Sequence, residues 1–362
     1  MRDLFDWVGR QALFAFNPET AHGLSITALK TGVPLCPRPA DDPRLKTTVA
    51  GLDVPNPLGM AAGYDKNGEV PDALLRLGFG FTEIGTVTPL PQPGNPKPRI
   101  FRLTQDQAVI NRLGFNNEGH DATLARLAAR TGRPGIVGVN IGANKDSVDR
   151  FADYEAGVRR FAPVASYLTV NISSPNTPGL RAMQAREALA ELLSRAMAAR
   201  NALAGASRRV PVFLKIAPDL GEAELADIAT EVEAHAVDGI IVSNTTISRS
   251  DLKSRAHAGE QGGLSGAPLF ERSTIVLAKM RKLVGPDRAL IGVGGVSSTE
   301  TALEKIRAGA DLVQLYTGMI YAGPSLPGRI VRDLSRYAER EGLKTLRDIR
   351  DSTTERWTAT SL

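Results

Sequence analysis

The chain has 362 residues, room for one large domain or two medium ones, and its 42% hydrophobic and 23% charged content is ordinary for a soluble globular protein. A formal charge of +5 suits anionic ligands or an anionic lipid surface, but aromatics make up only 5% and no compact Lys/Arg run appears, which argues against nucleic acid. Cys36 is the only cysteine and the histidines are scattered at 22, 120, 235 and 257, so a disulfide framework, a thiolate cluster and a spaced histidine metal site are excluded.

The first 40 residues differ from the rest. Leu4, Phe5, Val8, Ala12 and Phe16 follow helical spacing, and Trp7, Leu13 and Phe14 widen the apolar face. Asn17-Pro18 reads as an N-cap followed by proline at the first helical position, opening a second helix from Pro18 to Thr31 with Gly32 as its stop. Val33 to Pro39 holds three prolines and reads as a linker. A helical pair this apolar either packs on the remainder of the chain or lies in a membrane interface. Interfacial attachment would rest on apolar area, since Arg2, Arg10, Lys30 and Arg38 barely outnumber Asp3, Asp6 and Glu19. No apolar run reaches the roughly 20 residues that span a bilayer, and no signal peptide is recognisable; a reducing cytoplasm fits the single cysteine.

From about residue 55, short apolar runs alternate with amphipathic segments. The runs are Leu58–Ala61, Phe81–Gly85, Ile136–Ile141, Tyr167–Ile172, Val212–Ile216, Gly239–Val242, Ala289–Val293 and Leu312–Leu315. Most are apolar on successive residues, as expected of parallel strands buried on both faces. Segments such as Arg186–Leu203, Glu222–His235 and Ser298–Ala308 predict helices between them. Eight βα units in about 280 residues is the pattern of a (β/α)8 barrel. Between the second and third runs, Pro89–Asn116 holds two short β-like pieces, Arg99–Leu103 and Ala108–Asn111, which predict a small hairpin or loop over the barrel mouth.

Such a barrel builds its site at the C-terminal ends of its strands, and the unusual polar residues fall there. They are 61-AAGYDKNGE-69, Gly85-Thr86, Asn140, 171-NISSPNTPGLR-181, Lys215, 243-SNTT-246, Gly294-Gly295 and Tyr316-Thr317-Gly318. An Asn at a strand end is commonly a turn former. A lysine closing an apolar strand is harder to explain so, because an unpaired buried ammonium is costly; Lys215 and Lys66 should each face a carboxylate or an anionic ligand. The clusters 262-GGLSG-266 and 292-GVGG-295 precede predicted helices, and with Thr317-Gly318 they point to a mononucleotide-type phosphate. No Rossmann fingerprint stands in its proper context.

Taken in order, AAGYDKNGE, GTVTP, NPKPRIFRL, NRLGFNNEG, VNIGANK, NISSPNTPGLR, LKIAPD, SNTT, GGLSG, GVGG and LYTGMIY resemble the dihydroorotate dehydrogenases over essentially the whole chain. The N-terminal helical pair further resembles their class 2, the membrane-associated, quinone-linked branch. The resemblance implies a TIM barrel (41–362) holding FMN across its mouth, with a small N-terminal helical hairpin extension (1–40) for membrane and quinone access. The resemblance further implies that dihydroorotate stacks on the flavin and is oxidised to orotate, a step of de novo pyrimidine (UMP) biosynthesis.

By the same resemblance, FMN contacts fall on Ala62, Gly63, Lys66, Thr86, Asn140, Asn171, Lys215, Ser243, Gly266, Gly295, Tyr316 and Thr317. Substrate contacts fall on Lys66, Asn111, Arg112, Leu113, Gly114, Phe115, Asn171, Asn176, Asn244 and Thr245, and His22, Arg102 and Tyr316 mark the quinone site. Asparagine amides suit a planar diamide, Lys66 its carboxylate, and Lys215 the charge on a reduced flavin. Ser174 matches the general base of class 2, where class 1 carries a cysteine; serine is a poor base, so a relay through water or Thr177 is expected. The resemblance implies no metal and a peripheral place at the cytoplasmic face of the inner membrane. The competing readings are a class 1-type enzyme reducing fumarate or NAD, a dihydrouridine synthase, and a non-catalytic membrane-docking barrel. His22 on sequence alone equally fits a helix histidine facing water.

Overall fold

The computed structural model describes residues 9–32, 41–203 and 209–362. Leu4, Phe5, Trp7 and Val8 of the first predicted helix, and the linker Val33–Pro39 with Cys36, lie outside the described residues. Eight parallel strands close into a barrel: β1 (Leu58–Met60), β2 (Phe81–Val87), β3 (Ile136–Ile141), β4 (Tyr167–Asn171), β5 (Val212–Ile216), β6 (Gly239–Val242), β7 (Ala289–Val293) and β8 (Leu312–Leu315). The TIM barrel is thus the one expected, with every predicted strand present and ends displaced by no more than two residues. Successive apolar residues such as Val137, Val139 and Ile141 are buried because one set fills the barrel and the next meets the outer helices. Helices Arg186–Asn201, Glu222–Ala234 and Thr299–Arg307 follow the expected segments closely.

A hairpin that the apolar pattern does not announce, Thr47–Val49 with Leu52–Val54, turns through Ala50 and Gly51, both at positive φ. Its Val49, Leu52 and Val54 pack on Phe81, Tyr167, Phe213 and Leu312 at the start of the barrel strands. That end is therefore plugged with hydrocarbon, and the open end is the C-terminal one.

Over the open end lies a three-stranded antiparallel sheet. Ile100–Leu103 and Ala108–Asn111 form the expected hairpin, and Gly263–Gly266 adds a third strand beside Ala108–Asn111. The cluster 262-GGLSG-266 is thus a strand rather than a simple glycine turn. Glycine is required there by close approach: a Cβ on Gly263 would lie 1.9 Å from Thr245 Oγ1, and one on Gly266 2.3 Å from the Gln107 carbonyl oxygen. Phe101, Leu103, Ile110 and Leu264 form a small core on one face of this sheet. The alternate residues Ile100, Arg102, Val109, Asn111 and Ser265 line the cavity below.

Helix α1 (Pro18–Lys30) begins as the sequence predicts, with Asn17 Oδ1 accepting from Glu19 N at 3.0 Å. It packs on the barrel mouth through buried Ala21, Ile26 and Leu29. Polar ties fix its position. Arg99 pairs with Glu19 at 2.7 Å, Lys30 pairs with Glu69, and Tyr64 donates to Ser25 Oγ at 3.0 Å. Before it, residues 9–14 are helical, and Arg102 donates to the carbonyls of Phe14 and Phe16 at 3.2 and 3.1 Å. Packing on the barrel leaves Phe16 48% exposed and Leu24, which also borders the cavity, 41% exposed. Among the described residues no helix is long and apolar enough to cross a membrane.

Candidate active site

The strand ends, the three-stranded sheet and α1 enclose one cavity of about 1040 Å³. Its floor is a hydrogen-bonded array. Glu83 on β2, wholly buried, accepts from Asn140 Nδ2 at 2.7 Å, Tyr167 Oη at 3.0 Å and Gln314 Nε2 at 2.9 Å. Asn140 Oδ1 accepts from Thr86 Oγ1 at 2.5 Å and Asn171 Nδ2 at 3.0 Å. Asn171 Oδ1 accepts from Ser173 Oγ at 2.9 Å, which in turn accepts from Asn244 Nδ2 at 3.0 Å. Each amide thus has its orientation set by a neighbour, which presents a fixed pattern of donors and acceptors to a planar ligand.

The loop after β4 carries the serine pair. Ser173 faces the amides, whereas Ser174 lines the cavity and accepts from Asn176 N at 3.2 Å. The Ser174 hydroxyl finds no acceptor among the described residues. Thr177 Oγ1 is buried without a partner and makes no bond to Ser174. Arg181, the last residue of the motif, ties the loop down. It donates to the Ser173 carbonyl at 3.0 Å and the Thr245 carbonyl at 2.8 Å, and pairs with Asp219 at 2.8 Å. Asn176 Nδ2 reaches Asn111 Oδ1 at 3.2 Å, joining the loop to the sheet above.

Two lysines face the cavity, Lys66 half-buried and Lys215 buried. Lys66 donates to the Gly63 carbonyl at 2.8 Å, and burial above all pushes its pKa down to about 8 against the pull of Glu19 and Asp65. Lys215 is 5% exposed and makes no hydrogen bond or ion pair among the described residues. Its pKa is lowered by burial, with Glu83 the charge that favours protonation. Gly294 and Gly295, with φ of +117° and +74°, form part of the wall beside Thr317 and Gly318.

On the N-terminal side, His22, Tyr64 and Tyr316 pack edge to face, with ring centres 5.1 Å apart for His22–Tyr64 and 5.5 Å for Tyr64–Tyr316. His22 Nδ1 stands 3.4 Å from Tyr316 Oη. Burial, reinforced by Lys66, pushes the imidazole down to about 3, so it is neutral at physiological pH. His22 lines the cavity and is half-buried, so it is not the helix histidine facing water that the sequence equally allowed.

Of the residues assigned to flavin, substrate, quinone or proton abstraction in the sequence, all but two line this cavity; the relay candidate Thr177 does not line it either. Asn140 lies one layer below, wholly buried behind Thr86 and Asn171. Arg112, past the end of its strand, turns outward, pairing with Glu260 at 2.6 Å and lying 4.7 Å over the Phe101 ring. Glu83, Gln314, Asn116, Tyr321 and Arg181 were not singled out. Only Glu83 had a readable signal, a carboxylate inside the apolar run FTEIG.

A family model described as dihydroorotate dehydrogenase matches residues 44–337, the whole of the region that builds the cavity apart from α1 and the residues before it. The chain belongs to the dihydroorotate dehydrogenase family. It is 72% identical to the dihydroorotate dehydrogenase (quinone) of Mesorhizobium japonicum over 99% of both chains, and 65% identical to that of Brucella ovis over 100% of both. The crystal structure of the Eimeria tenella DHODH in complex with ferulenol matches with a TM-score of 0.87 at 40% identity, covering 92% of this chain and 95% of that one.

Dihydroorotate dehydrogenases work with a flavin, and the residues present fit one. The cavity-facing amine of Lys215 has no hydrogen-bond acceptor among the described residues, and a flavin ring would offer one.

Proposed function

We propose that this protein oxidises (S)-dihydroorotate to orotate through FMN and delivers the electrons to a membrane quinone, the step that supplies orotate for pyrimidine (UMP) biosynthesis. Relatives named dihydroorotate dehydrogenase (quinone) over the full length support the substrate and the acceptor. The observation that carries the reading is one continuous cavity whose walls include Ser174, four asparagine amides, Lys66 and Lys215, and also α1.

Lys66 neutralises the carboxylate of dihydroorotate, and the amides of Asn111, Asn171, Asn176 and Asn244 orient its ring. Ser174 takes the proton from one ring carbon, held on its loop by Arg181 and by Asn176 N. Thr177 forms no hydrogen bond with Ser174, which favours water as the acceptor through which the proton leaves. A bound flavin supplies the chemistry of accepting the hydride from the neighbouring carbon and passing the electrons on. Lys215 sets positive charge where that acceptance builds negative charge. Gly63, Thr86, Ser243, Gly266, Gly295, Tyr316 and Thr317 contact FMN in this reading, with Asn140 bracing Thr86 and Asn171 from behind. His22, Arg102 and Tyr316 border the quinone, with 1–40 as the access element and 41–362 as the catalytic barrel. Exposed Phe16 and Leu24 support a peripheral seat on the membrane, assigned here to its cytoplasmic face.

The test is anaerobic. Dihydroorotate should bleach the flavin of the purified protein, and a quinone analogue, but neither fumarate nor NAD, should restore the colour. Restoration by NAD or fumarate would favour the class 1-type reading, and a colourless protein would overturn the proposal.

A further inference from the structure

Lys305 is a wholly buried lysine that the chemistry above does not use. Its Nζ donates to Ser273 Oγ at 2.6 Å, lies 3.5 Å from the Phe270 carbonyl oxygen, and sits 5.0 Å from the centre of the Phe270 ring. No acidic side chain among the described residues pairs with it, and burial alone pushes its pKa well down. A lysine serving only to fill this space is poorly explained, since leucine or methionine would do so without desolvating an amine.

What lies in front of it supplies a reason. Ser273 Oγ is 3.2 Å from the Gly294 carbonyl oxygen. A Cβ on Gly294 would stand 2.6 Å from Ser273 Oγ, and one on Gly295 2.4 Å from Phe270 Cβ. Ser273 and Phe270 thus stand directly behind the two glycines, and the Lys305 amine is held against them from the far side. Gly266, Thr317 and Gly318 line the same cavity.

We propose that Lys305 is the buried counter-charge for the phosphate of FMN, acting from one layer behind the Gly294–Gly295 wall. The inference rests on the FMN reading given above. Without the phosphate, burial disfavours the charged amine; a dianion arriving across the thin wall favours the ammonium, which takes any proton it needs from solvent. Binding and protonation then reinforce each other. Lys305 touches neither substrate nor ring, so it acts on affinity for the phosphate and not on the redox step.

Full-length protein freed of flavin is titrated with FMN and with riboflavin, which lacks the phosphate. Wild type should prefer FMN. Lys305→Gln, which keeps a donor to Ser273 but no charge, and Lys305→Met should each weaken FMN by at least about tenfold while leaving riboflavin binding unchanged. As a check on wild type alone, calorimetry in buffers of different ionisation heat at about pH 9, where free phosphate is a dianion, should show FMN taking up more protons than riboflavin. Undiminished FMN affinity in Lys305→Gln, an equal loss for both flavins, or no extra proton uptake would each overturn the role of Lys305. Equal affinity of wild type for FMN and riboflavin would instead overturn the FMN reading itself.

Discussion

Ser174 is 6% exposed, accepts a backbone N–H and hydrogen-bonds to no side-chain base among the described residues, so its activity rests on the geometry of its loop. Replacing it with alanine should slow flavin reduction by dihydroorotate about 10²–10⁴-fold with flavin content unchanged, as read by stopped-flow absorbance. Lys66 makes a pH prediction. Its depressed pKa of about 8 means the charged form that pairs with a carboxylate is complete below that pH and lost above it. Orotate affinity should therefore be flat at lower pH and fall about tenfold per unit above about 8. Lys66→Met should weaken orotate and flatten this profile in an absorbance titration; a profile unchanged by the substitution would remove Lys66 from the carboxylate. At this scale the sequence was informative where a residue type is costly to bury, as for Lys215, and where motifs were ordered. It could not separate wall from underlayer: Asn140 and Asn171 look alike as strand-end asparagines, yet one lies beneath the other. Nor does a strand end say which way the next side chain turns, as the outward guanidinium of Arg112 shows.

At the scale of elements, the eight strands were legible because burial on both faces leaves unbroken apolar runs. The strand Gly263–Gly266 was hidden, since glycine is depleted from strands and its reason for being there is a neighbour 152 residues away, the Asn111 side chain that donates to the Gly263 carbonyl. Gly263→Ala would press on Thr245, costing about 1–3 kcal/mol in denaturant unfolding and raising KM for dihydroorotate more than it lowers kcat. The N-terminal element yields a complementary prediction. Because α1 supplies cavity wall while Ser174, Lys66 and the amides belong to the barrel, deleting residues 1–40 should reduce turnover with quinone analogues and spare dihydroorotate-driven dye reduction. Equal loss of both would show that the extension is needed for the barrel itself. The sequence showed this helix and its cap but not its partner; the Arg99–Glu19 pair joins residues 80 positions apart.

On the scale of the whole molecule, Glu83 gathers β2, β3, β4 and β8 onto one buried carboxylate, with Lys215 of β5 as the opposing charge. Glu83→Leu would strip Asn140, Tyr167 and Gln314 of their acceptor and leave Lys215 uncompensated. A loss of about 3–5 kcal/mol in unfolding free energy is expected, with weakened flavin retention. The barrel's hydrophobic end was readable as class and not as closure, because the plugging hairpin is only two three-residue strands. The cavity that spans from the amide array to α1 has a kinetic corollary. Dihydroorotate and the electron acceptor meet separate stretches of wall, one built by the barrel loops and the other by the N-terminal helices. Double-reciprocal plots should therefore be parallel, and a compound wedged against His22 should compete with the quinone while orotate still enters and leaves behind it.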